Sequence, residues 1–132
     1  MSEEKFDKVY LSGEGLIEKI LSGERDFRNI TLQENFDLSN HEGYLYVKDY
    51  LEKADLLKNP LNFSYSNLKG ISAKRLNLAY IIAIKTILDN ADIEESWLYD
   101  PNISNSKLNG INARNAYIFG TNSRLFSSEC KL

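Results

Sequence analysis

From Leu61 onward, apolar residues recur at every fifth position of the chain. When this part is cut into five-residue segments beginning at Leu61, the third position is apolar in twelve consecutive segments: Phe63, Leu68, Ala73, Leu78, Ala83, Leu88, Ile93, Leu98, Ile103, Leu108, Ala113 and Ile118. The first position is small or apolar throughout, and the other three are mostly polar and rich in asparagine. Neither an α-helix nor a flat strand places every fifth residue on one face, so the pattern predicts a chain that turns a corner once per segment.

The segments SNLKG (66–70), ADIEE (91–95) and INARN (111–115), with the upstream run ERDFRNITL (24–32), share a motif. A small residue is followed by Asp or Asn, an apolar residue and two variable residues. In this motif the chain resembles the pentapeptide-repeat family. The resemblance implies an all-β fold, a right-handed quadrilateral β-helix (a pentapeptide-repeat solenoid) with four segments in each coil.

Residues that are four segments apart support this coil length. Leu68, Leu88 and Leu108 form one matched series, and Ser66, Thr86 and Ser106 form another beside it. Strands that pair directly are about 4.8 Å apart, so members of each series should stack at that spacing. The sequence therefore predicts turns of four segments each, lying one on the next.

The chain divides into an N-terminal segment, 1–23, and a repeat region, 24–132. In the first, GLIEKILSG (15–23) has an apolar helical face and predicts a short helix that caps the first coil. The repeat region is regular over 61–123 and irregular over 39–60. The segment HEGYLYVKDY (41–50) fits the repeat poorly, and both a loop and an aberrant coil remain open for it.

Five aromatic residues fall at positions that the repeat turns outward. Trp97 and Tyr117 are four segments apart, as are Tyr99 and Phe119, and Tyr80 lies at the neighbouring corner. Contiguous exposed aromatic side chains are typical of binding hot spots, so these five residues form a candidate partner-binding patch. The alternative is that they only cover the sheet and stabilise cross-strand pairing. A second outward apolar group contains Ile82, Ile84 and Ile87, for which a structural role is the stronger interpretation.

Composition adds little chemistry. His41 is the only histidine, and no grouping of Cys, His, Asp or Glu suggests a catalytic, cofactor or metal site. Glu94 and Glu95 are interpreted as part of a surface charge ladder. The N-terminus lacks the apolar core of a secretory signal, no stretch is long enough to span a membrane, and Cys130 is the only cysteine. These features favour the cytoplasm.

The net charge of −3 is unevenly distributed: residues 1–60 carry 13 acidic and 8 basic side chains (−5), and residues 61–132 carry 6 and 8 (+2). Neither half is a dense basic patch, which argues against direct nucleic-acid binding. The sequence predicts a non-catalytic protein-binding scaffold whose partner is unknown, with homodimerisation through the C-terminal coil as a hypothesis. Some pentapeptide-repeat proteins mimic DNA and bind the type II topoisomerase gyrase, so a topoisomerase-binding DNA mimic is the alternative.

Overall fold

The structure is a computed structural model and describes residues 8–120. In chain order its regular elements are β1 (Val9–Leu11), α1 (Gly13–Leu21), β2 (Ile30–Leu32), α2 (Tyr44–Lys53), β3 (Trp97–Tyr99) and β4 (Tyr117–Phe119). Strands β1 and β2 form one two-stranded parallel sheet, and β3 and β4 form another. The regular secondary structure is therefore two helices of 9 and 10 residues and four strands of 3 residues within the described part of the chain.

The predicted fold class is wrong. An all-β, right-handed quadrilateral β-helix with one short capping helix should have regular sheets along its sides, whereas residues 8–120 contain two helices and only two two-stranded sheets. The physical reason lies in the backbone at the fifth position of each segment, which has positive φ at all of these residues: Tyr65, Gly70, Arg75, Tyr80, Lys85, Asn90, Glu95, Asp100, Asn105, Gly110 and Asn115. Positive φ is the conformation of tight turns rather than of strands. The chain bends before a strand can lengthen.

Between the bends, the segments pair through single parallel bridges at the second position. The bridges Asn62↔Ile82, Asn67↔Ile87 and Asp92↔Asn112 are examples, and each joins positions that are four segments apart. The backbone hydrogen bonds follow the same spacing: the Phe63 amide donates to the Ile82 carbonyl at 2.7 Å. Residues 61–80, 81–100 and 101–120 therefore lie one on the next, and we refer to them as the three stacked turns. Their last segments, 76–80, 96–100 and 116–120, form what we refer to as the fourth side.

The core runs through the middle of the stacked turns and is filled by the third position of each segment. Leu68, Leu88 and Leu108 are 5%, 8% and 3% exposed, and only Ala113 and Ile118 of the twelve third-position residues are partly rather than fully buried. The first position supplies further apolar side chains, together with the buried hydroxyl groups of Ser66, Thr86, Ser96 and Ser106. A single apolar core thus fixes which positions of each segment face outward.

Helix α1 overlaps the helix that the apolar face of residues 15–23 predicts. It begins after Ser12, whose hydroxyl accepts a hydrogen bond from the Gly15 amide at 3.0 Å and caps the helix. Its buried face contains Leu16, Ile17 and Ile20. Through these side chains the helix covers the N-terminal end of the core.

Helix α2 begins within the segment 41–50, for which the sequence left only a loop or an aberrant coil, and extends beyond it to Lys53, so that interpretation is also wrong. Tyr44, Val47 and Leu51 recur at helical spacing and are buried. The Tyr44 hydroxyl donates to the Lys74 carbonyl at 2.6 Å, and the Asn77 side-chain amide donates to the Leu51 carbonyl at 3.1 Å.

The chain before α2 pairs with the first stacked turn through the bridges Asp26↔Asn62, Thr31↔Asn67 and Asp37↔Ser72. These three bridges underlie the first three segments of that turn. Helix α2 contacts its fourth segment, at Asn77. A helix thus occupies the position below the fourth side that a fourth segment would otherwise fill.

Candidate functional site: an aromatic patch beside helix α2

The five candidate residues of the sequence meet on the fourth side. The parallel pairing of β3 with β4 places Trp97 beside Tyr117 and Tyr99 beside Phe119. Trp97, Tyr117 and Phe119 are 50%, 54% and 42% exposed, and Tyr99 and Tyr80 are half-buried. We refer to these five residues as the aromatic patch.

The rings of the aromatic patch contact one another without interruption. Trp97 stacks on Tyr117 with ring centroids 4.7 Å apart and planes at 24°. Phe119 meets Tyr99 edge-on at 4.9 Å and Trp97 at 6.0 Å, and Tyr80 meets Tyr99 edge-on at 5.4 Å. Offset and edge-to-face pairs at these distances are favourable arrangements of aromatic rings. The patch is therefore one continuous surface and not five separate side chains.

The inward neighbours of these rings hold the patch in place. Leu98, between Trp97 and Tyr99, is 1% exposed and lies in the core. Alternation along a strand sends its two neighbours to the opposite face. The patch thus stands on backbone that is anchored from inside.

Tyr80 lies at one end of the aromatic patch, where the carboxylates of Asp100 and Asp55 act on its phenol. Burial against its neighbours raises the pKa of the Tyr80 phenol above its usual value, and Tyr99, Asp100 and Asp55 act in the same direction. The phenol therefore stays neutral at ordinary pH and remains a hydrogen-bond donor on the patch.

A groove beside the patch was missed by the sequence analysis. It has a volume of about 500 Å³ and is lined by Lys48 and Glu52 of α2 and by Arg75, Asn77, Glu95 and Trp97 of the stacked turns. Lys48 pairs with Glu52 at 2.5 Å, which raises the pKa of Lys48, and Arg75 pairs with Glu95 at 3.4 Å. Both pairs leave a signal in the sequence. Lys48 and Glu52 are one helical turn apart, but this spacing is informative only once α2 is known to be a helix. Arg75 and Glu95 are four segments apart, which is the spacing of residues on neighbouring turns.

The other residues that the sequence analysis considered lie outside the aromatic patch. Ile82, Ile84 and Ile87 are half-buried, on the first and second segments of the middle turn. The ring nitrogen Nδ1 of His41 accepts a hydrogen bond from the Gly43 amide at 2.9 Å, and Nε2 lies 3.9 Å from Glu14. Glu95 pairs with Arg75, as expected for a charge ladder. Cys130 lies outside the described residues.

Two other kinds of site are absent from residues 8–120. This range contains no group of three or more His, Cys, Asp or Glu side chains that could hold a metal ion. None of its helices is both long enough and apolar enough to cross a membrane.

In comparisons with protein-family models, with curated proteins and with solved structures, nothing matches this chain. The resemblance to pentapeptide-repeat proteins therefore stays a prediction from the motif. Function is accordingly inferred from the geometry of the patch and the groove.

Proposed function

We propose that this chain is a non-catalytic protein-binding protein and that the aromatic patch is its contact surface. The observation that carries the proposal is the continuous set of exposed rings on β3 and β4, in which Trp97 and Tyr117 keep about half of their surface in contact with solvent (50% and 54%). Tryptophan and tyrosine are the residues most enriched at binding hot spots.

The packing of the stacked turns supports a role in binding over a role in covering the sheet. At the second position of segments outside the fourth side the outward residue is commonly asparagine, as at Asn62, Asn67 and Asn102, and these residues form the same parallel bridges with non-aromatic partners. The turns therefore stack without aromatic side chains at this position. Covering the sheet therefore does not explain why large rings are concentrated on one part of the fourth side. Contact with a partner protein does explain it.

The backbone beneath the patch favours binding because it is already ordered. The Trp97 amide donates to the Leu76 carbonyl at 2.9 Å, and the Tyr117 amide donates to the Ser96 carbonyl at 2.8 Å. A surface held in one conformation loses little conformational entropy when a partner binds. The geometry thus suits recognition by a preformed surface.

The charge of the stacked turns does not favour the DNA-mimic alternative. Residues 61–120 carry five acidic and six basic side chains, a net charge of +1. A mimic of DNA needs a strongly negative surface, since DNA carries about one negative charge per 1.7 Å of its axis. A topoisomerase among the bound partners would nevertheless revive this alternative.

The capture of partners from a cytoplasmic lysate tests the proposal. The cytoplasm is the proposed compartment because the chain has a single cysteine. The wild type should retain a protein that the Trp97→Ser/Phe119→Ser variant does not retain. A control variant, Leu45→Ser/Tyr46→Ser, removes two side chains of α2 that are each 71% exposed and lie outside the patch, and it should behave as the wild type. Equal retention by all three proteins would contradict the proposal.

Self-association through the C-terminal stacked turn is a second proposal. Ile111, Ala113, Ala116 and Ile118 are only partly buried, whereas Ala91, Ile93, Ser96 and Leu98, at the equivalent positions one turn earlier, are buried. Apolar side chains that are only partly buried are stabilised when another surface covers them. A second copy of the chain would provide such a surface.

A further inference from the structure

The stack of rings in the aromatic patch stops at the groove. Tyr117 lies one turn beyond Trp97 and covers one face of the indole at 4.7 Å. One turn before Trp97, the bridged residue is Asn77, whose short side chain is bonded to the Leu51 carbonyl of α2 at 3.1 Å. The indole therefore borders the groove on the side away from Tyr117, where it meets a space of about 500 Å³ instead of another ring.

The walls of this groove are charged. Besides Trp97 and Asn77, the described residues that line it are two carboxylates, Glu52 and Glu95, and two cations, Lys48 and Arg75. The Lys48–Glu52 pair is short, at 2.5 Å, whereas Arg75 and Glu95 make one contact of 3.4 Å with side chains that are 50% and 42% exposed. A carboxylate can accept about four hydrogen bonds, so Glu95 can take a further donor without losing Arg75.

We propose that this groove binds an arginine side chain of a partner protein, with the guanidinium stacked on the indole of Trp97 and its edge bonded to Glu95 and Glu52. The inference rests on the proposed function, because it names the chemistry of the partner at the border of the aromatic patch. It adds a specificity-determining contact that the rings alone do not provide.

The guanidinium fits the lining better than the other side chains that could enter. Its planar face is weakly hydrated and stacks on aromatic rings, while its edge carries five N–H donors for carboxylates. A neutral aromatic ring would fill the space but would remove water from four charged groups and give them no hydrogen bonds in return. A lysine ammonium is strongly hydrated and has no planar face to stack.

The charges around the groove balance. Residues 44–60, which comprise α2 and the linker that follows it, carry three acidic and three basic side chains: Asp49, Glu52 and Asp55, and Lys48, Lys53 and Lys58. The preference for a cation over a carboxylate therefore rests on the indole of Trp97, because the face of an aromatic ring is electrostatically negative and attracts cations.

Trp97 is the only tryptophan of the chain, so its fluorescence reports on this groove directly. The experiment titrates the full chain with the peptide acetyl-Gly-Arg-Gly-amide at constant ionic strength. We expect a saturable change in Trp97 emission with half-saturation on the order of 10 mM, which is appropriate for a single side chain. The peptides with lysine, with neutral planar citrulline and with tyrosine in place of arginine should each give a response at least about fivefold weaker.

Two variants localise the response. Glu95→Gln should weaken binding of the arginine peptide by about threefold or more, because it removes a charge-assisted hydrogen bond and keeps the shape of the side chain. Glu94→Gln changes the adjacent residue, which does not line the groove, and should leave the titration unchanged. The proposal is overturned by a linear, unsaturable response to the arginine peptide, by an equal response to lysine or citrulline, by preferential binding of tyrosine, or by equal titrations for both variants.

The failure of this inference can be distinguished from a failure of the proposed function. If a captured partner is lost on changing Trp97 and Phe119 but binds the Glu95→Gln variant as tightly as the wild type, the patch is a binding surface and the arginine contact is absent. If no partner depends on the patch, the proposed function itself fails, whatever the peptide titration shows.

Discussion

At the scale of single residues, the buried hydroxyl groups at the first position of the segments link one turn to the next. The Ser96 hydroxyl donates to the Ala73 carbonyl at 3.0 Å and accepts from the Leu76 amide at 3.1 Å. Thr86 and Ser106 form the same kind of link, in which the Ser106 hydroxyl accepts from the Thr86 amide at 2.9 Å. The sequence indicates only that these residues are small or apolar in character. Their role becomes visible only when the neighbouring turn is in place.

Ser96→Ala should lower the free energy of unfolding by about 1–3 kcal/mol, because the buried Leu76 amide loses its acceptor. Ser104→Ala provides the control: Ser104 is half-buried and its hydroxyl bonds only within its own segment, to Asn102 at 2.6 Å. Its effect should stay within about 0.5 kcal/mol. Urea unfolding followed by circular dichroism measures both values. Equal effects of the two substitutions would show that the buried hydroxyl does not link the turns.

The residue scale also shows how far the sequence could predict the candidate site. The spacing of four segments between Trp97 and Tyr117 was sufficient to place these side chains together, because the bridges keep that spacing throughout the stacked turns. The groove could not be predicted in this way. Lys48 and Glu52 come from the irregular part of the predicted repeat region (39–60), where no periodicity relates them to Trp97.

At the scale of elements, the five-residue pattern predicted the bends and the buried positions but not the secondary structure. The apolar third position is what the core requires, and it is visible in the sequence. The length of the strands depends on the backbone at the fifth position, where Tyr65, Arg75 and Lys85 adopt positive φ (63°, 56° and 54°) although none is glycine. Tertiary packing imposes this conformation against local preference. The fold class was wrong because the resemblance implied regular sheets along the sides, whereas the described residues contain only two two-stranded sheets, β1–β2 and β3–β4, together with two helices.

Helix α2 was not predicted because exposed apolar residues hide its helical period. Its apolar residues Tyr44, Val47 and Leu51 follow a helical period, but Leu45 and Tyr46, on the opposite face, obscure that period in the sequence. With these two exposed side chains, residues 44–47 form an unbroken apolar run that shows no helical period. Only the contacts with α1 and the first stacked turn distinguish the buried face from the exposed one.

Leu51→Ala should destabilise the protein by about 2–5 kcal/mol, since Leu51 is 1% exposed and packs in the core cluster. Leu45→Ala removes the same atoms from the same helix at a position that is 71% exposed, and it should change stability by no more than about 0.5 kcal/mol. Thermal or urea unfolding compares the two. A small effect of Leu51→Ala would mean that α2 does not pack against the stacked turns.

At the scale of the whole molecule, the two ends of the stack differ within residues 8–120. Helix α1 covers the N-terminal end of the core, whereas the apolar side chains of the last stacked turn are only partly buried. If a second copy covers them, light scattering at micromolar concentration should give twice the mass of one chain. Ile118→Asp, which places a charge in that surface, should return the mass to that of a monomer. A monomeric wild type would contradict self-association.

The aromatic patch occupies the outer face of the fourth side and extends onto the last stacked turn, to which Tyr117 and Phe119 belong. Its position lets recognition and folding depend on different residues, because Trp97 and Phe119 point outward while Leu98 and Leu108 fill the interior. Loss of the outer rings should therefore remove the cross-ring contacts, each contributing about 0.5–1.5 kcal/mol, and leave the fold intact.

The most direct test of this account is the equilibrium dissociation constant of a captured partner for the Trp97→Ser/Phe119→Ser variant, relative to the wild type. With the far-UV circular dichroism of the variant unchanged, binding should weaken by about 100-fold or more, as expected for the removal of two aromatic hot-spot residues. The Leu45→Ser/Tyr46→Ser control should bind within about threefold of the wild type. Equal dissociation constants for all three proteins would contradict the account, as would collapse of the fold in the double variant.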